Sequence, residues 1–302
     1  MWIIYQEKIY IVSVYSTQMA DNTLLKLSAF NIRNSCTKLF NAILVGKRNT
    51  GKSTVIQDLL YYSMKNKIPR ACIFSGTEEA NGFFKQFVPG TFIFDGSNVE
   101  NQLISILDTQ KDLTMKKQMG RIDTDTEIRI TIILDDLGYA RGTLRKEIIR
   151  QIFMNGRHYG ISMIVSCQYC MDISVDLRTN ADFIYVLKQN NAASIKNLYE
   201  NYFSGFEKKK HFQTVLEACT SDYQCLVLDN TRPTTNVQDV CFWYKAKLGR
   251  RFRFGSSELW KFHDRWHLTD EERYLQTQNL KKMKKLGSSA KGGIIVKKEK
   301  KK

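Results

Sequence analysis

Eight consecutive residues limit what this chain can fold into more than any other stretch. They are Gly46-Lys47-Arg48-Asn49-Thr50-Gly51-Lys52-Ser53. They fit the pattern G-x-x-x-x-G-K-[ST] of a phosphate-binding loop, which requires a strand before it and a helix after it. Residues 39–45 form a short apolar run typical of a buried strand, and residues 54–65 carry apolar side chains at helical spacing. The sequence therefore predicts a strand–loop–helix unit that binds phosphate groups.

The chemistry of this unit assigns a role to each residue type. Backbone N–H groups of the loop and the positive end of the helix dipole face the phosphates, so residues 46–53 and Thr54 are predicted to bind the nucleotide. Lys52 is predicted to reach the β- and γ-phosphates and to take part in catalysis. The hydroxyl of Ser53 is predicted to hold Mg²⁺. A nucleoside triphosphate with Mg²⁺ is therefore the expected ligand.

Polar residues also follow two later apolar runs. The run 128–134 ends in Asp135-Asp136, and the run 161–166 is followed by Gln168 after one cysteine. An acid at the end of an apolar strand is the Walker B arrangement, so Asp135 is predicted to hold Mg²⁺ and Asp136 to act as a base toward the attacking water. Ligands gather at the carboxyl ends of parallel strands, which places Gln168 beside the γ-phosphate. Turn capping by the acids and a structural glutamine are the alternatives.

Strand-like and helix-like segments alternate from residue 39 onward. The predicted strands cover 39–45, 70–75, 91–95, 128–134, 161–166, 182–187, 224–228 and 240–247. The predicted helices cover 54–65, 78–87, 99–117, 144–154 and the residues from 257 onward. Near-continuous Val, Ile and Leu runs divided by helices predict an α/β fold with a mostly parallel central sheet covered by helices on both faces. The last two strands predict a small β/α C-terminal extension with an antiparallel edge.

The order of the motifs narrows the class of P-loop protein. At least one strand, 70–75, lies in sequence between the P-loop strand and the Asp135 strand, as in P-loop NTPases of the additional-strand type. GTP-binding switches need N-K-x-D, but Asn66-Lys67 is followed by isoleucine and proline. A small-molecule kinase has no evident need for Asp136 or Gln168. ATP is therefore the predicted nucleotide, and ATP hydrolysis the predicted reaction.

Basic residues give the 302-residue chain a net charge of +16, concentrated at its end. Residues 281–302 hold ten lysines and one glutamate among several glycines and serines, which predicts a disordered basic tail. Such a tail is suited to DNA phosphates, although a merely solvated terminus is an equal alternative. The lysines predicted to bind DNA are Lys281, Lys282, Lys284, Lys285, Lys297 and Lys298. The predicted divisions are an N-terminal extension (1–35), an ATPase core (36–250), a helical segment (251–280) and the tail (281–302).

Cysteine usage and hydropathy indicate the compartment. Seven cysteines at irregular spacing predict buried thiols in a reducing intracellular compartment and not a disulfide framework. No apolar run reaches the length of a membrane span. Residues 1–5 are apolar but lack the basic start of a signal peptide, so they are predicted to form a strand. Met19 is an alternative start.

The ordered motifs resemble those of the genome-packaging ATPases of large DNA viruses, the poxvirus and giant-virus branch of the FtsK–HerA superfamily. The matching stretches are 44–53, 74–81, 133–136, 157–158, 168 and 177–182. They span about half of the chain, and neither the tail nor the first 35 residues contribute to the resemblance. One departure from the wider superfamily is the second acid, Asp136, where glutamate is commoner. Aspartate is one methylene shorter, so the attacking water must lie closer or be reached indirectly.

This resemblance implies an ATP-driven motor that moves double-stranded DNA into a capsid. Such proteins work as homo-oligomeric rings around the duplex, with capsid or portal components as further partners, in the virus factory of the host cytoplasm and in the virion. An arginine of the neighbouring subunit completes each site, for which Arg157 and Arg178 are the candidates, with Arg141 and Arg145 weaker. Two alternatives remain: a HerA-like DNA helicase or pump, and a DNA-binding protein that uses ATP as a structural ligand.

Overall fold

The computed structural model describes residues 10–13, 24–139, 142–267 and the positions 272, 275, 278–280 and 282. The strands are β1 Tyr10–Ser13, β2 Leu24–Leu27, β3 Asn41–Val45, β4 Arg70–Ser75, β5 Ile93–Phe94, β6 Ile130–Asp135, β7 Ile161–Cys167, β8 Phe183–Val186, β9 Gln224–Asp229 and β10 Cys241–Lys245. The helices are α1 Ile32–Ser35, α2 Lys52–Lys65, α3 Glu78–Asn81, α4 Val99–Gln118, α5 Glu147–Asn155, α6 Val175–Thr179, α7 Ala192–Tyr202, α8 Lys209–Cys219, α9 Val237–Val240 and α10 Ser257–Trp266.

Eight of the strands form one sheet in the order β10-β9-β8-β3-β7-β6-β4-β5. Neighbours from β8 to β5 are parallel, whereas β9 pairs antiparallel with β8 and β10 antiparallel with β9. The predicted α/β fold with a parallel centre and an antiparallel edge is thereby confirmed. The strand inserted between the P-loop strand β3 and the Walker strand β6 is β7, which follows both in sequence. The strand 70–75, which precedes β6, lies on its other side as β4.

Both faces of the central strands are buried, which explains their continuous apolar sequence. In β3, Ile43 and Val45 belong to the core on one face of the sheet, and Ala42 and Leu44 to the core on the other. Helices α4, α5, α7 and α8 supply apolar side chains to the first core, and α2 supplies them to the second. The P-loop helix therefore lies on the opposite face from most of the other long helices.

Two differences from the predicted elements have local causes. The helix predicted over 78–87 is wrong beyond Asn81, because Gly82 adopts a left-handed backbone with φ of 57° and ends α3. The buried Glu78 carboxylate then accepts hydrogen bonds from the backbone N–H groups of Phe84 and Lys85 at 3.0 and 2.8 Å, which fixes the following 3₁₀ turn. Helices α7 and α8 were not predicted, although both carry an apolar face.

The described part of the N-terminal segment packs on the antiparallel edge of the sheet. Strands β1 and β2 pair antiparallel, and Ala29 forms a parallel bridge with Trp243 of β10. The Phe30 ring then packs edge-on against Phe183 and Tyr185, with ring centroids 5.6 and 5.9 Å apart. The residues from 24 to 35, predicted as part of an extension, therefore contribute to the core. The strand predicted over residues 1–5 lies outside the described residues.

The segment after β10 is fixed to the P-loop helix by a buried acid. Asp58 of α2 accepts hydrogen bonds from the Tyr244 hydroxyl and the Lys247 backbone N–H, both at 2.7 Å, and pairs with the Arg250 guanidinium. The same guanidinium stacks on the Tyr61 ring, 4.1 Å from its centroid. Because Asp58 is buried and fully paired, residues 245–250 are held in one position relative to α2.

Beyond this segment, α10 lies in the predicted helical region 251–280. It docks beside residues 90–92, where the Thr91 hydroxyl and a ring nitrogen of His263 form a hydrogen bond of 2.8 Å. Across the described ranges, every helix is too short or too polar to cross a membrane. All seven cysteines lie in these ranges as buried, free thiols.

Candidate nucleotide-binding and catalytic site

The predicted site residues meet at the carboxyl edge of the parallel strands, around a cleft of about 730 Å³. That volume lies within the range of small-molecule sites. The residues of the predicted loop that line it are Lys47, Arg48, Asn49, Gly51, Lys52, Ser53 and Thr54. Asp135 and Asp136 also line it, and Gly76, Thr77, Ala80 and Asn81 contribute from the segment after β4, which includes α3. The topology thus brings together segments more than 80 residues apart.

The loop between β3 and α2 has the backbone shape that its glycines permit. Gly51 precedes α2 with φ of 101°, a left-handed conformation that favours glycine. A side chain at position 46 would lie 2.7 Å from the Thr50 hydroxyl oxygen, which is too close for a carbon. That hydroxyl donates a hydrogen bond of 2.8 Å to the Lys47 carbonyl across the loop. The Gly46 N–H donates to the Cys167 carbonyl at 3.1 Å, so the N–H groups that could meet phosphate oxygens are those later in the loop and at the N-terminus of α2.

Lys52 is the first residue of α2 and is buried beneath the loop. Its ammonium donates to the carbonyl oxygens of Gly46 and Lys47, at 2.5 and 3.2 Å. Burial lowers the pKa of Lys52, and the carboxylates of Asp136 and Asp135 oppose that shift by stabilising the charged form. The positive charge is thus held between the phosphate loop and the two acids.

Asp135 is positioned by the register of the sheet. It pairs across the backbone with Ser75 of β4 on one side and Ser166 of β7 on the other. The Ser166 hydroxyl donates to one carboxylate oxygen at 2.5 Å, and the Ser75 hydroxyl donates to the other at 3.4 Å. Burial raises the pKa of Asp135, while the Ser166 hydrogen bond and the Lys52 charge lower it. The two serines therefore orient the carboxylate and help to keep it ionised.

Asp136 leaves the strand in a left-handed conformation, with φ of 51°. That conformation costs a non-glycine residue roughly 1–2 kcal/mol. The Asp136 N–H donates to the Ser166 hydroxyl at 3.2 Å, and Gln168 Nε2 donates to both Asp136 carboxylate oxygens at 2.8 Å. Gln168 therefore contacts the second acid, and its predicted place beside the γ-phosphate stays a prediction.

Mg²⁺ is the metal that these residues would hold. The Ser53 hydroxyl and the Asp135 carboxylate face the same cleft, and hard oxygen donors are what Mg²⁺ prefers. Among the described residues, no cluster of three or more His, Cys, Asp and Glu side chains could hold a metal without other ligands. A site with one protein carboxylate fits an ion that takes its remaining ligands from phosphates and water.

The two predicted arginines occupy different environments. Arg157 precedes β7, at the edge of the sheet opposite the cleft, and pairs with Asp182 at 2.8 Å while 40% of its side chain stays exposed. It is therefore too far away to serve its own site. Arg178 is buried within its own subunit, where it donates to Asn201 at 2.7 Å and lies over the Tyr202 ring. Arg145 is exposed, and Arg141 lies outside the described residues.

The tail lysines fall almost wholly outside the described residues. Lys282 is described, and it is exposed. Lys281, Lys284, Lys285, Lys297 and Lys298 are not. Their predicted contact with DNA stays a prediction.

Sequence reasoning missed several residues of the cleft. Ser75 and Ser166 end or nearly end buried strands, and a polar residue at that position is a signal that could have identified them. A further part of the cleft lining comes from two segments near the edge strands. Asp222 and Tyr223 lie in the turn before β9, and Lys245 and Leu248 lie at and after the end of β10. Nothing in the local sequence marks these residues, because only the antiparallel addition of β9 and β10 brings them beside the P-loop.

Solved structures share this fold at low sequence identity. The genome packaging NTPase B204 of Sulfolobus turreted icosahedral virus 2, in complex with sulfate, superposes on 70% of this chain and 98% of its own, with a TM-score of 0.50 and 15% identity. The pCW3 conjugation coupling protein TcpA superposes on 85% of this chain and 71% of its own, with a TM-score of 0.51 and 12% identity. Both likenesses concern the fold alone.

Sequence relatives come from large DNA viruses. The chain is 33% identical over 231 residues to an uncharacterized protein of Acanthamoeba polyphaga mimivirus, which covers 74% of this chain and 78% of that protein. It is 34% identical over 224 residues to an uncharacterized protein of Frog virus 3, which covers 73% of this chain and 66% of that protein. The family described as Poxvirus A32 protein matches residues 27–248. The predicted resemblance to the poxvirus and giant-virus branch is thereby confirmed, and the chain belongs to the Poxvirus A32 protein family.

Proposed function

We propose that this chain hydrolyses ATP with Mg²⁺ and couples hydrolysis to the movement of double-stranded DNA into a viral capsid. One observation carries the proposal: a second acid, Asp136, is oriented by Gln168 in the same cleft as the phosphate loop. A protein that used ATP only as a structural ligand would need the loop and the metal ligand but no second acid. The family membership adds the viral context.

The residues of the cleft have separate tasks in this proposal. Lys52 and the loop N–H groups bind the β- and γ-phosphates and stabilise the charge that develops on the transferred phosphoryl group. Ser53 and Asp135 hold Mg²⁺, which neutralises phosphate charge when it is bound. Asp136 orients the attacking water and accepts its proton. Gln168 holds the Asp136 carboxylate in place for that step.

Assembly and partners follow from the same proposal. A homo-oligomeric ring around the duplex would let Arg157, which faces away from its own cleft, enter the site of a neighbour. Capsid or portal components would anchor that ring in the virus factory of the host cytoplasm. The fold is shared by a genome packaging NTPase and by a conjugation coupling protein alike, so it is the viral family membership that supports packaging over a helicase or pump role.

The test is a comparison of ATP hydrolysis with and without duplex DNA, together with displacement of a third strand from a triplex as a measure of translocation. We expect duplex DNA to stimulate hydrolysis and triplex displacement to require ATP. The Asp136→Asn variant serves as the matched control, because it should bind ATP and duplex DNA yet displace nothing. ATP binding without hydrolysis in the wild-type protein would favour the structural-ligand alternative.

DNA binding by the lysine tail is part of this proposal. Each phosphate neutralised on duplex DNA changes the slope of log K against log salt by about −0.9. If the tail makes about five contacts, the slope for a chain ending at residue 280 should be smaller in magnitude by roughly four to five. The loss of DNA affinity should be the same for all DNA sequences. Hydrolysis without DNA should be nearly unaffected. An unchanged slope would leave DNA binding to the ATPase core.

A further inference from the structure

Two large apolar side chains are exposed in the wall of the cleft that faces the P-loop. Tyr223 is 68% exposed and Leu248 is 75% exposed, and both line the same cleft as Lys52 and Ser53. Most large apolar side chains in the described sheet and helices are buried. An exposed aromatic ring and an exposed leucine that share a concave site are the features of a ligand surface.

Topology explains how these two residues reach the P-loop. Strand β9 runs antiparallel to β8, so the turn before β9 lies at the carboxyl edge of the parallel strands. Strand β10 runs antiparallel to β9, so its last residues lie at that edge too, where Lys245 pairs with Gln224 in the register. A Cβ added to Gly51 would lie 3.9 Å from Cδ1 of the Tyr223 ring. The ring therefore stands directly beside the loop.

The turn that carries Tyr223 is held in an unfavourable conformation. Asp222 and Tyr223 are consecutive non-glycine residues with left-handed φ values of 52° and 56°. Strained residues of this kind persist where the surroundings fix them, and they concentrate at ligand sites. An ion pair between Asp222 and Lys245 joins the turn to the end of β10, and Asp58 holds the segment that follows. Both apolar side chains are thus carried by fixed backbone.

We propose that Tyr223 and Leu248 bind the nucleobase of the nucleotide. The nucleobase stacks on the face of the Tyr223 ring, and Leu248 packs against the nucleobase. The inference rests on the proposed function and adds the recognition of the base to it. The phosphate loop and the acids account for the phosphates and the metal but offer no apolar surface for a planar ring. Stacking on an aromatic face is tolerant of base identity, because every base has a π-face.

The experiment separates the base from the phosphates. Calorimetry would measure the affinity of the full chain for two Mg²⁺-loaded probes: the non-hydrolysable ATP analogue AMPPCP, and tripolyphosphate, which has no base. Stacking contributes ~1–3 kcal/mol per base, so Tyr223→Ala should weaken AMPPCP binding by about 5-fold to 140-fold. Tripolyphosphate affinity should change by less than about twofold, because Tyr223 touches no phosphate in this proposal.

Further variants make the result specific. Tyr223→Phe keeps the stacking face and should bind AMPPCP like the wild type, whereas Leu248→Ala should weaken it by a smaller factor than Tyr223→Ala. Phe262→Ala removes an exposed aromatic ring on α10, outside the cleft lining, and should leave both affinities unchanged.

Four results would overturn the inference. Equal losses for AMPPCP and tripolyphosphate in Tyr223→Ala would mean that the ring supports the P-loop. Unchanged AMPPCP affinity together with lost DNA binding or self-association would assign Tyr223 and Leu248 to a macromolecular contact. Failure of the wild-type protein to bind either probe would overturn the proposed function as well, whereas AMPPCP binding that ignores Tyr223 would overturn this inference alone.

Discussion

The two ends of the nucleotide cleft are built in opposite ways. The phosphate end consists of residues 46–53 with Asp135 and Asp136, and it is supplied by loops after the central parallel strands. Two of its charged groups are buried: Lys52 is 8% exposed and Asp135 is 4% exposed, and each is held by two or more hydrogen bonds. Lys47 and Arg48 of the loop are exposed. The base end consists of Tyr223 and Leu248, which are exposed and come from the antiparallel edge strands.

This difference fits what each end is proposed to bind. A phosphoryl group carries charge that grows and moves during transfer, so its stabilisation needs oriented dipoles and charges in a site that excludes water. Such orientation requires a buried, hydrogen-bonded framework, which the sheet centre provides through Ser75 and Ser166. A nucleobase needs a flat apolar surface, which an edge turn can offer without burial. Substitutions should therefore have large effects on turnover at the phosphate end and smaller effects on affinity at the base end.

The largest effect is expected if the phosphate end is completed by a second subunit. Arg157→Ala should lower kcat by ~10³–10⁵-fold in the assembled protein, the range for arginines donated in trans to P-loop sites. Wild-type activity per subunit should rise with protein concentration, and mixing in the variant should reduce it more than in proportion. The measurement is steady-state ATP hydrolysis across a dilution series.

Asp182→Asn is the matched control for Arg157. It weakens the ion pair that Arg157 forms within its own subunit, while its side-chain oxygen can still accept from the Asn41 backbone N–H. Activity should therefore survive. If Asp182→Asn were as inactive as Arg157→Ala, the role of the pair would be local, and the phosphate end would be complete within one subunit.

The second acid gives the next largest effect. Asp136→Asn should lower kcat by ~10²–10⁴-fold, the contribution of general base catalysis, while ATP affinity stays near that of the wild type. Lys52→Ala should weaken binding and turnover together, because Lys52 contacts phosphate in both the ground and transition states. Equilibrium binding and single-turnover hydrolysis measure the two quantities separately. Equal losses of affinity in both variants would contradict this division of roles.

A smaller effect is expected at Ser166, which donates a hydrogen bond to the proposed metal ligand Asp135. Ser166→Ala removes the donor to Asp135 and the acceptor for the Asp136 N–H, and loss of such supporting groups costs about 10–100-fold in metal affinity or activity. Ser162 on the same strand is equally buried and accepts from the Phe40 N–H, so Ser162→Ala controls for loss of a buried hydroxyl. We expect Ser166→Ala to raise the Mg²⁺ concentration needed for half-maximal hydrolysis, and Ser162→Ala to affect stability alone.

The smallest effect is expected at the base end. The ion pair between Lys245 and Asp222 is largely exposed, and exposed pairs contribute 0.2–1 kcal/mol. Lys245→Ala should therefore weaken ATP binding by less than about fivefold, and added salt should reduce the difference further. A loss as large as that expected for Tyr223→Ala would show that Lys245 contacts the nucleotide itself, and the contrast between the two ends would then fail.

Features that are encoded within a short stretch of sequence could be predicted, whereas features that depend on distant strands could not. The P-loop, β6 and the acids after it are encoded within short stretches, so the fold centre and Asp135 could be predicted. Ser166 could not be assigned, because its role depends on register with Asp135 across neighbouring strands. Tyr223 and Leu248 could be predicted even less, since two antiparallel strands must add to the sheet before these residues line the cleft. The role of Glu78 could not be predicted, because the sequence pattern indicated a continuous helix over 78–87, whereas Gly82 ends the helix early.

The buried Asp58 links the P-loop helix α2 to residues 247–250, so that we expect the two to move together. Asp58 lies six residues after Lys52, about 9 Å along α2 at 1.5 Å per residue. Separating its carboxylate from Arg250 would leave a buried charge unpaired, at a cost of ~3–5 kcal/mol. We therefore expect residues 247–250 to move together with α2 when the helix rotates, because the contacts of Asp58 stay intact. Residues 251–256 join them to α10, so we expect a displacement of α2 at the phosphates to shift the chain that leads into α10.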